Sequence, residues 1–281
     1  MAVNITSLHA RLLNIARARN MDFQVLLNRL ASEQFLYRLS QSSYSETFIF
    51  KGGSLLTYLI ESDRKTKDLD FSITKMSSQV KDVVSVIDSV LRLPVDDGFE
   101  WKDISGEPLA HPDLAYPGTR VTCRFFLGKM QGVVRLDVAI GDTADAQKFP
   151  IKRLSYKNES IFGEPFLLLA YTPEAIFSEK LQISVKKRGQ NTRMKDYYDL
   201  LKLIDHTLDQ KRIKKCLKEV FLNRDTQLID QLNFEETELT RLQIYWEHFL
   251  RREKITEDLG SIRQVIGKIN TYLGRLNVST P

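Results

Sequence analysis

The stretch RKTKDLDFSI, residues 64–73, sets Asp68 and Asp70 one residue apart inside a strand-like run. Residues i and i+2 of a strand point to the same side. Both carboxylates therefore converge while Leu69 and Phe71 turn to the opposite face. Two like charges this close cost free energy unless a cation or water relieves them. A solvated sheet edge accounts for such a triplet; a divalent cation held between the carboxylates accounts for it more specifically.

Three neighbouring features favour the cation. FKGGS, residues 50–54, is a strand end running through two glycines and a serine into a helix. Gly52 and Gly53 let backbone N–H groups approach phosphate oxygens, and a helix N-terminus beginning near Ser54 favours an anion; an ordinary tight turn needs the same glycines. In RLDVAI, residues 135–140, Asp137 lies among apolar residues, where an unpaired carboxylate is costly to bury. It reads as a third metal ligand, or as half of a salt bridge to Arg135 or Arg124. Thirteen residues separate Ser54 from Asp68, enough for one short helix and a return to the adjacent strand. The glycine turn and the carboxylates can then share a rim.

The elements that must position these groups follow from periodicity. The first forty residues are expected to be helical, with Leu26, Leu30, Phe35, Leu36 and Leu39 at helical spacing. TFIFKGG (47–53) reads as a short buried strand, SLLTYLIES (54–62) as a helix and DLDFSI as the next strand. SQVKDVVSVIDSVLRL (78–93) is an amphipathic helix stopped by Pro94 and the DDG turn. Residues 119–142 form two strand-like runs around the turn GKMQG, a hairpin. From Thr172, with Pro173 and Glu174 as a helix start, the pattern turns helical, with further helices at about 193–206, 208–222, 238–252 and 258–275. The expected organisation is α+β and bi-lobed. Residues 1–155 form a lobe with a small mixed sheet flanked by helices, and residues 156–281 a helical lobe.

Composition bounds the function. The 281-residue chain is 42% hydrophobic and 27% charged, ordinary for a globular protein with a core. It has no apolar stretch near bilayer length and no signal-peptide pattern at its start, so a cytoplasmic protein without a membrane partner is expected. Two cysteines and four histidines, scattered, argue against a disulfide framework and a zinc site. The net charge of +5 favours an anionic partner. Six basic residues and no acid lie between Lys180 and Lys195, and five more with no acid between Lys211 and Lys218. These runs suit nucleic acid or a solvated helical face.

A glycine pair, then D-x-D, then a later strand aspartate resembles the nucleotidyltransferase superfamily that includes DNA polymerase β. FKGGSLL, RKTKDLDF and RLDV fit it in order and spacing. KGGSLL and DLDF followed by EAIFSEKLQISVKKR and RMKDYYDLLKL is similar, more narrowly, to the AbiEii/AbiGii toxin branch of toxin–antitoxin and abortive phage infection systems, over residues of about 23 to 205. The resemblance implies a polymerase-β-like lobe, a ribonucleoside triphosphate substrate, two Mg²⁺ ions on Asp68, Asp70 and Asp137, and a cognate antitoxin protein. It marks Lys180 as an active-site residue and Asp196 as the acid of an R-x-x-D element supported by Arg193. In the helix over 173–188, Lys180 falls inside the apolar arc of Ile176 and Ile183, so it is paired or reaches a buried anion. Asp196 sits at the edge of the next helix's apolar arc, as general base or as anchor for Lys180, and Asp199 is expected to point outward. Both helical-lobe residues are expected to reach the cleft.

The expected reaction moves a nucleoside monophosphate from the triphosphate to an acceptor. Gly52, Gly53 and Ser54 would bind phosphates together with Arg64, Thr66 and Lys180, and an RNA acceptor such as a tRNA 3′ end fits the basic helical lobe. A catalytically silent nucleotide- or RNA-binding module and a metal-dependent phosphohydrolase are the alternatives.

Overall fold

The computed structural model describes residues 3–60, 68–77, 79–109, 118–140, 145–206 and 208–277. The chain divides into two compact units. One comprises Met1–Leu55, Thr66–Gly141 and Gln147–Ala170, the other Leu56–Lys65, Asp142–Ala146 and Tyr171–Pro281.

The first unit opens with α1 (Ile5–Ala18) and α2 (Phe23–Gln41), capped by Asn4 and Asp22, whose side chains accept from Ser7 N–H and Val25 N–H. A sheet follows, built from β1 (Phe48–Lys51), β2 (Asp68–Ile73), β3 (Phe99–Leu109), β4 (Gly118–Leu127), β5 (Met130–Ile140), β6 (Ala146–Ile151) and β9 (Phe166–Tyr171). Between β6 and β9 lies a minimal ladder of β7 (Ser155–Tyr156) and β8 (Glu159–Ser160). Among the described residues the strand order is β3-β4-β5-β2-β1-β9-β6. The sheet is mixed: β2 runs parallel to β5 and antiparallel to β1, while β4 and β5 form the expected hairpin. The sequence reading named no strand at β3, β6 or β9. In β3 the periodicity is interrupted by a register shift between Lys102 and Ser105, with Asp103 at φ +50°, so a regular alternation is lost there.

One face of the sheet is apolar and covered. Leu69 and Phe71 of β2 lie beside Leu136 and Val138 of β5, and the Phe71 ring meets those of Phe35, Phe48 and Phe50. The cover is α2 together with α4 (Val80–Leu91), whose apolar stripe of Val83, Ile87, Val90 and Leu91 is buried. Gly106 of β3 is a close approach, because an added Cβ would stand 2.8 Å from the Val80 side chain of α4. A buried fork also ties α2 to the segment before β3: Arg38 donates to both carboxylate oxygens of Asp97 at 2.6 and 3.0 Å.

The second unit is helical, with α5 (Pro173–Lys187), a 3₁₀ turn (Arg188–Gln190), α6 (Met194–Asp205), α7 (Gln210–Asn223), α8 (Glu236–Glu253) and α9 (Ile262–Leu276). The Thr172 hydroxyl accepts from Ala175 N–H, as a helix N-cap at that position requires. Capping boxes start α8 at Glu235/Glu238 and α9 at Ser261/Gln264. Helix α6 packs on α5, α8 and α9, which buries nearly its whole circumference. Trp246 anchors the last two helices, its indole N–H donating to Gly260 C=O at 3.0 Å. No helix among the described residues is long and apolar enough to cross a membrane.

Removing one partner of a buried pair leaves the other charge uncompensated, so Arg38→Ala should destabilise the protein by about 3–5 kcal/mol. Urea unfolding monitored by circular dichroism measures this; a loss under about 1 kcal/mol would mean that water replaces the guanidinium.

Candidate active site

The glycine turn is as short as a turn can be. Strand β1 ends at Lys51 and α3 (Gly52–Leu59) begins at the next residue. Gly52 takes φ +75°, which L side chains rarely adopt. It also lies against the Asp70 carboxylate, whose Cγ would be 2.7 Å from an added Cβ. Gly52 is thus required by backbone conformation and by the group beside it. Ser54, in the first turn of the helix, is buried.

Strand register then lines up charges across the sheet face opposite α2 and α4. Lys51 of β1 pairs with Asp70 of β2, Asp70 with Asp137 of β5, Asp137 with Arg120 of β4, and Arg120 with Glu107 of β3. Asp68 shares this face, two residues from Asp70 along β2. The structure therefore brings Asp68, Asp70 and Asp137 together beside the Gly52 turn, as the spacing anticipates.

Asp137 already has a partner. Arg120 donates from Nε and Nη2 to its two oxygens at 2.7 and 2.6 Å, and Nη2 lies 3.8 Å from Asp68 Oδ2. The hydrogen bonds to Asp137 raise the Arg120 pKa further above its ordinary value. The sequence reading offered Arg135 or Arg124 as that partner. The observed bridge corrects it: Arg120, the register partner of Asp137 on β4, takes both oxygens, while Arg135 lies between Thr122 and Asp68 in register and Arg124 pairs with Asp103.

Three carboxylates on one face supply only hard oxygen donors, the set that suits Mg²⁺ or Mn²⁺. The close seat at Gly52, which a Cβ would fill, keeps the backbone within reach of the Asp70 carboxylate. In donor chemistry the residues fit a divalent cation. Among the described residues no group of three or more His, Cys, Asp or Glu is arranged to hold a metal ion. Asp137 is engaged by Arg120. Arg64 and Thr66, expected to contact phosphate, lie outside the described residues.

Lys180 and Asp196 belong to the second unit, where they form a buried cluster of their own. Lys180 Nζ stands 3.0 Å from Asp196 Oδ1 and 2.7 Å from Asp199 Oδ2, and Arg193 Nε stands 2.9 Å from Asp196 Oδ2. The inward direction expected for Lys180, and its anchoring by Asp196, are both observed. Asp199 does not point outward: it is 1% exposed and shares the lysine. The apolar arc of α6 implied one exposed flank, but α5, α8 and α9 cover that flank too. Burial alone would push the Asp196 carboxyl up, but the Lys180 and Arg193 charges outweigh it and hold the group below the usual carboxylate range.

Residues 34–266 match the family described as the nucleotidyl transferase AbiEii toxin of a type IV toxin–antitoxin system. The chain belongs to this AbiEii family. It is accordingly a nucleotidyltransferase toxin of a type IV toxin–antitoxin system. Comparison with curated proteins finds no match. Among solved structures, MenT4, a nucleotidyltransferase toxin from Mycobacterium tuberculosis H37Rv, is similar over 98% of this chain and 99% of its own, at 18% identity and a TM-score of 0.56. JHP933 from Helicobacter pylori matches over 82% of this chain and 94% of its own, at 17% identity and a TM-score of 0.43. The MenT4 likeness shows a shared fold over nearly the whole chain.

Two outcomes follow from this geometry. Gly52→Ala forces a side chain into a left-handed backbone and against the Asp70 carboxylate, so a stability loss of at least about 1 kcal/mol is expected in urea unfolding; a neutral substitution would show that the turn relaxes. Lys180→Met leaves two buried carboxylates without their shared cation and should cost about 3–5 kcal/mol at neutral pH. Asp196 is held low in the folded state, so its contribution is complete above the ordinary value of 3.8 and is lost as pH falls through the folded value. The stability gap between wild type and Lys180→Met should therefore narrow as the pH is lowered below that point. A gap constant with pH would assign the effect to packing.

Proposed function

We infer that the protein transfers a nucleoside monophosphate from a ribonucleoside triphosphate to an RNA acceptor, the tRNA 3′ end being the acceptor best matched to the chain. The observation that carries the reading is the placing of Asp68, Asp70 and Asp137 on one sheet face beside the Gly52 turn. Asp68 and Asp70 hold the divalent cations, with Asp137 as the third ligand once it leaves Arg120. Two Mg²⁺ ions, when bound, activate the acceptor hydroxyl and neutralise the leaving pyrophosphate. Gly52, Gly53 and Ser54 present the start of α3 to the phosphates. Arg64 and Thr66 are assigned to phosphate binding from the sequence alone. Lys180 and Asp196 are assigned to the reaction from the family motif they match. The fixed ion pairs of Lys180 support a role in which its charge is oriented before substrate arrives.

The acceptor class rests on charge. Lys211, Lys215 and Lys218 of α7 are exposed and recur at i, i+4 and i+7, a basic stripe suited to phosphate contacts that carry no sequence preference. Membership of a type IV system implies a cognate antitoxin.

Purified protein incubated with Mg²⁺, each α-labelled ribonucleotide in turn and total cellular RNA should label a discrete RNA band with one nucleotide. Asp70→Ala should abolish the label while leaving the metal-free unfolding midpoint equal or higher, because a repelling charge is removed. Label on protein would move the acceptor to a protein hydroxyl, and release of free nucleotide without label would establish a phosphohydrolase. Neither product would make the chain a binding module.

A further inference from the structure

Both oxygens of Asp137 are taken by a guanidinium in the fork geometry that matches a carboxylate, and one nitrogen of that fork leans toward Asp68. We propose that Arg120 is an internal counter-ion that competes with a divalent cation for Asp137, so that loading the carboxylate site exchanges the guanidinium off that residue. The proposal rests on the reading of Asp68, Asp70 and Asp137 as metal ligands.

Arg120 occupies the position in the charge row that a shared cation would otherwise neutralise. It reaches there from β4 because the β4–β5 register sets it opposite Asp137. Its side chain is 31% exposed, so release does not strand a buried charge. Glu107, the next residue along the row, is within electrostatic reach and offers a second carboxylate. A divalent ion bound also by Asp68 and Asp70 carries twice the charge of a guanidinium and can displace it. The exchange gives up a part-exposed ion pair, whose modest worth weakens metal binding by about tenfold relative to a site without the arginine. Without metal, the same arginine keeps neighbouring carboxylates from destabilising the sheet.

The test is calorimetric titration of the full chain with MnCl₂, comparing wild type with Arg120→Gln, Arg120→Lys and Asp70→Asn. Arg120→Gln should bind Mn²⁺ about tenfold more tightly than wild type. Arg120→Lys, which keeps the charge but loses the fork, should fall between. Metal-free Arg120→Gln should unfold at a lower temperature than wild type, and Mn²⁺ should raise its midpoint by the larger amount. That thermal shift also shows that the variant folds. Unchanged or weaker Mn²⁺ binding by Arg120→Gln, with wild type titrating and Asp70→Asn silent, overturns the competition and leaves the metal site standing. If wild type binds no Mn²⁺, or Asp70→Asn binds it equally, the metal reading fails and the proposal fails with it.

Discussion

Asp70 and Asp137 stand opposite each other on adjacent parallel strands, and the sheet around them is arranged to supply positive charge alongside. At a strand spacing of about 4.8 Å and an effective dielectric of about 20, two bare carboxylates would repel by about 3 kcal/mol. Lys51 flanks the pair on one side and Arg120 on the other, so the row reads plus, minus, minus, plus before Glu107. The apolar residues of the same strands, Leu69, Phe71, Leu136 and Val138, are committed to the face covered by α2 and α4. Strand alternation leaves the charged row only the other face.

The second unit solves a similar charge problem under full burial. Asp196 and Asp199 lie on one helix three residues apart, and Lys180 from α5 serves both. With Arg193 on Asp196, two cations answer two anions. Burial makes this cluster hard to rearrange, since any partner that leaves strands a charge. The Arg120–Asp137 pair is only part-buried, so a change of partner there does not strand a fully buried charge. The fixed cluster suits orientation, and the part-buried pair suits the cation exchange proposed for it.

Much of this was legible in local pattern. The D-x-D triplet, the glycine turn and the inward lysine each follow from a period of two or of 3.6 applied to a few residues. Arg120 was within reach too. The two-residue turn at Gly128 and Lys129 fixes every cross-strand partner in the β4–β5 hairpin, and following it from Leu127 opposite Met130 leads from Asp137 to Arg120. Arg124 and Arg135 are nearer in sequence, but Arg124 pairs with Asp103 and Arg135 lies opposite Thr122 and Asp68 in register. Asp199 was not legible, because a helix pattern shows which face is most apolar and not how many neighbours will cover the rest. Strands β3 and β6 carry polar or irregular sequences whose strand state depends on the ladders they join, and β9, FLLLAY, is a short apolar run that periodicity alone does not separate from a helix.

By itself the sequence determined which residue types sit at which face. It specified two carboxylates on one side of β2, a glycine where β1 meets α3, and a lysine on the inward arc of α5, since these depend only on covalent geometry and local periodicity. The tertiary structure alone decided the partners. That Asp137 meets Asp70 requires β5 to lie parallel to β2, a pairing between segments more than sixty residues apart. That Lys180 has two carboxylates follows from the packing of α6 on α5 and its enclosure by α8 and α9. Charges are placed by the chain but compensated across space, and compensation turns these carboxylates into a stable site.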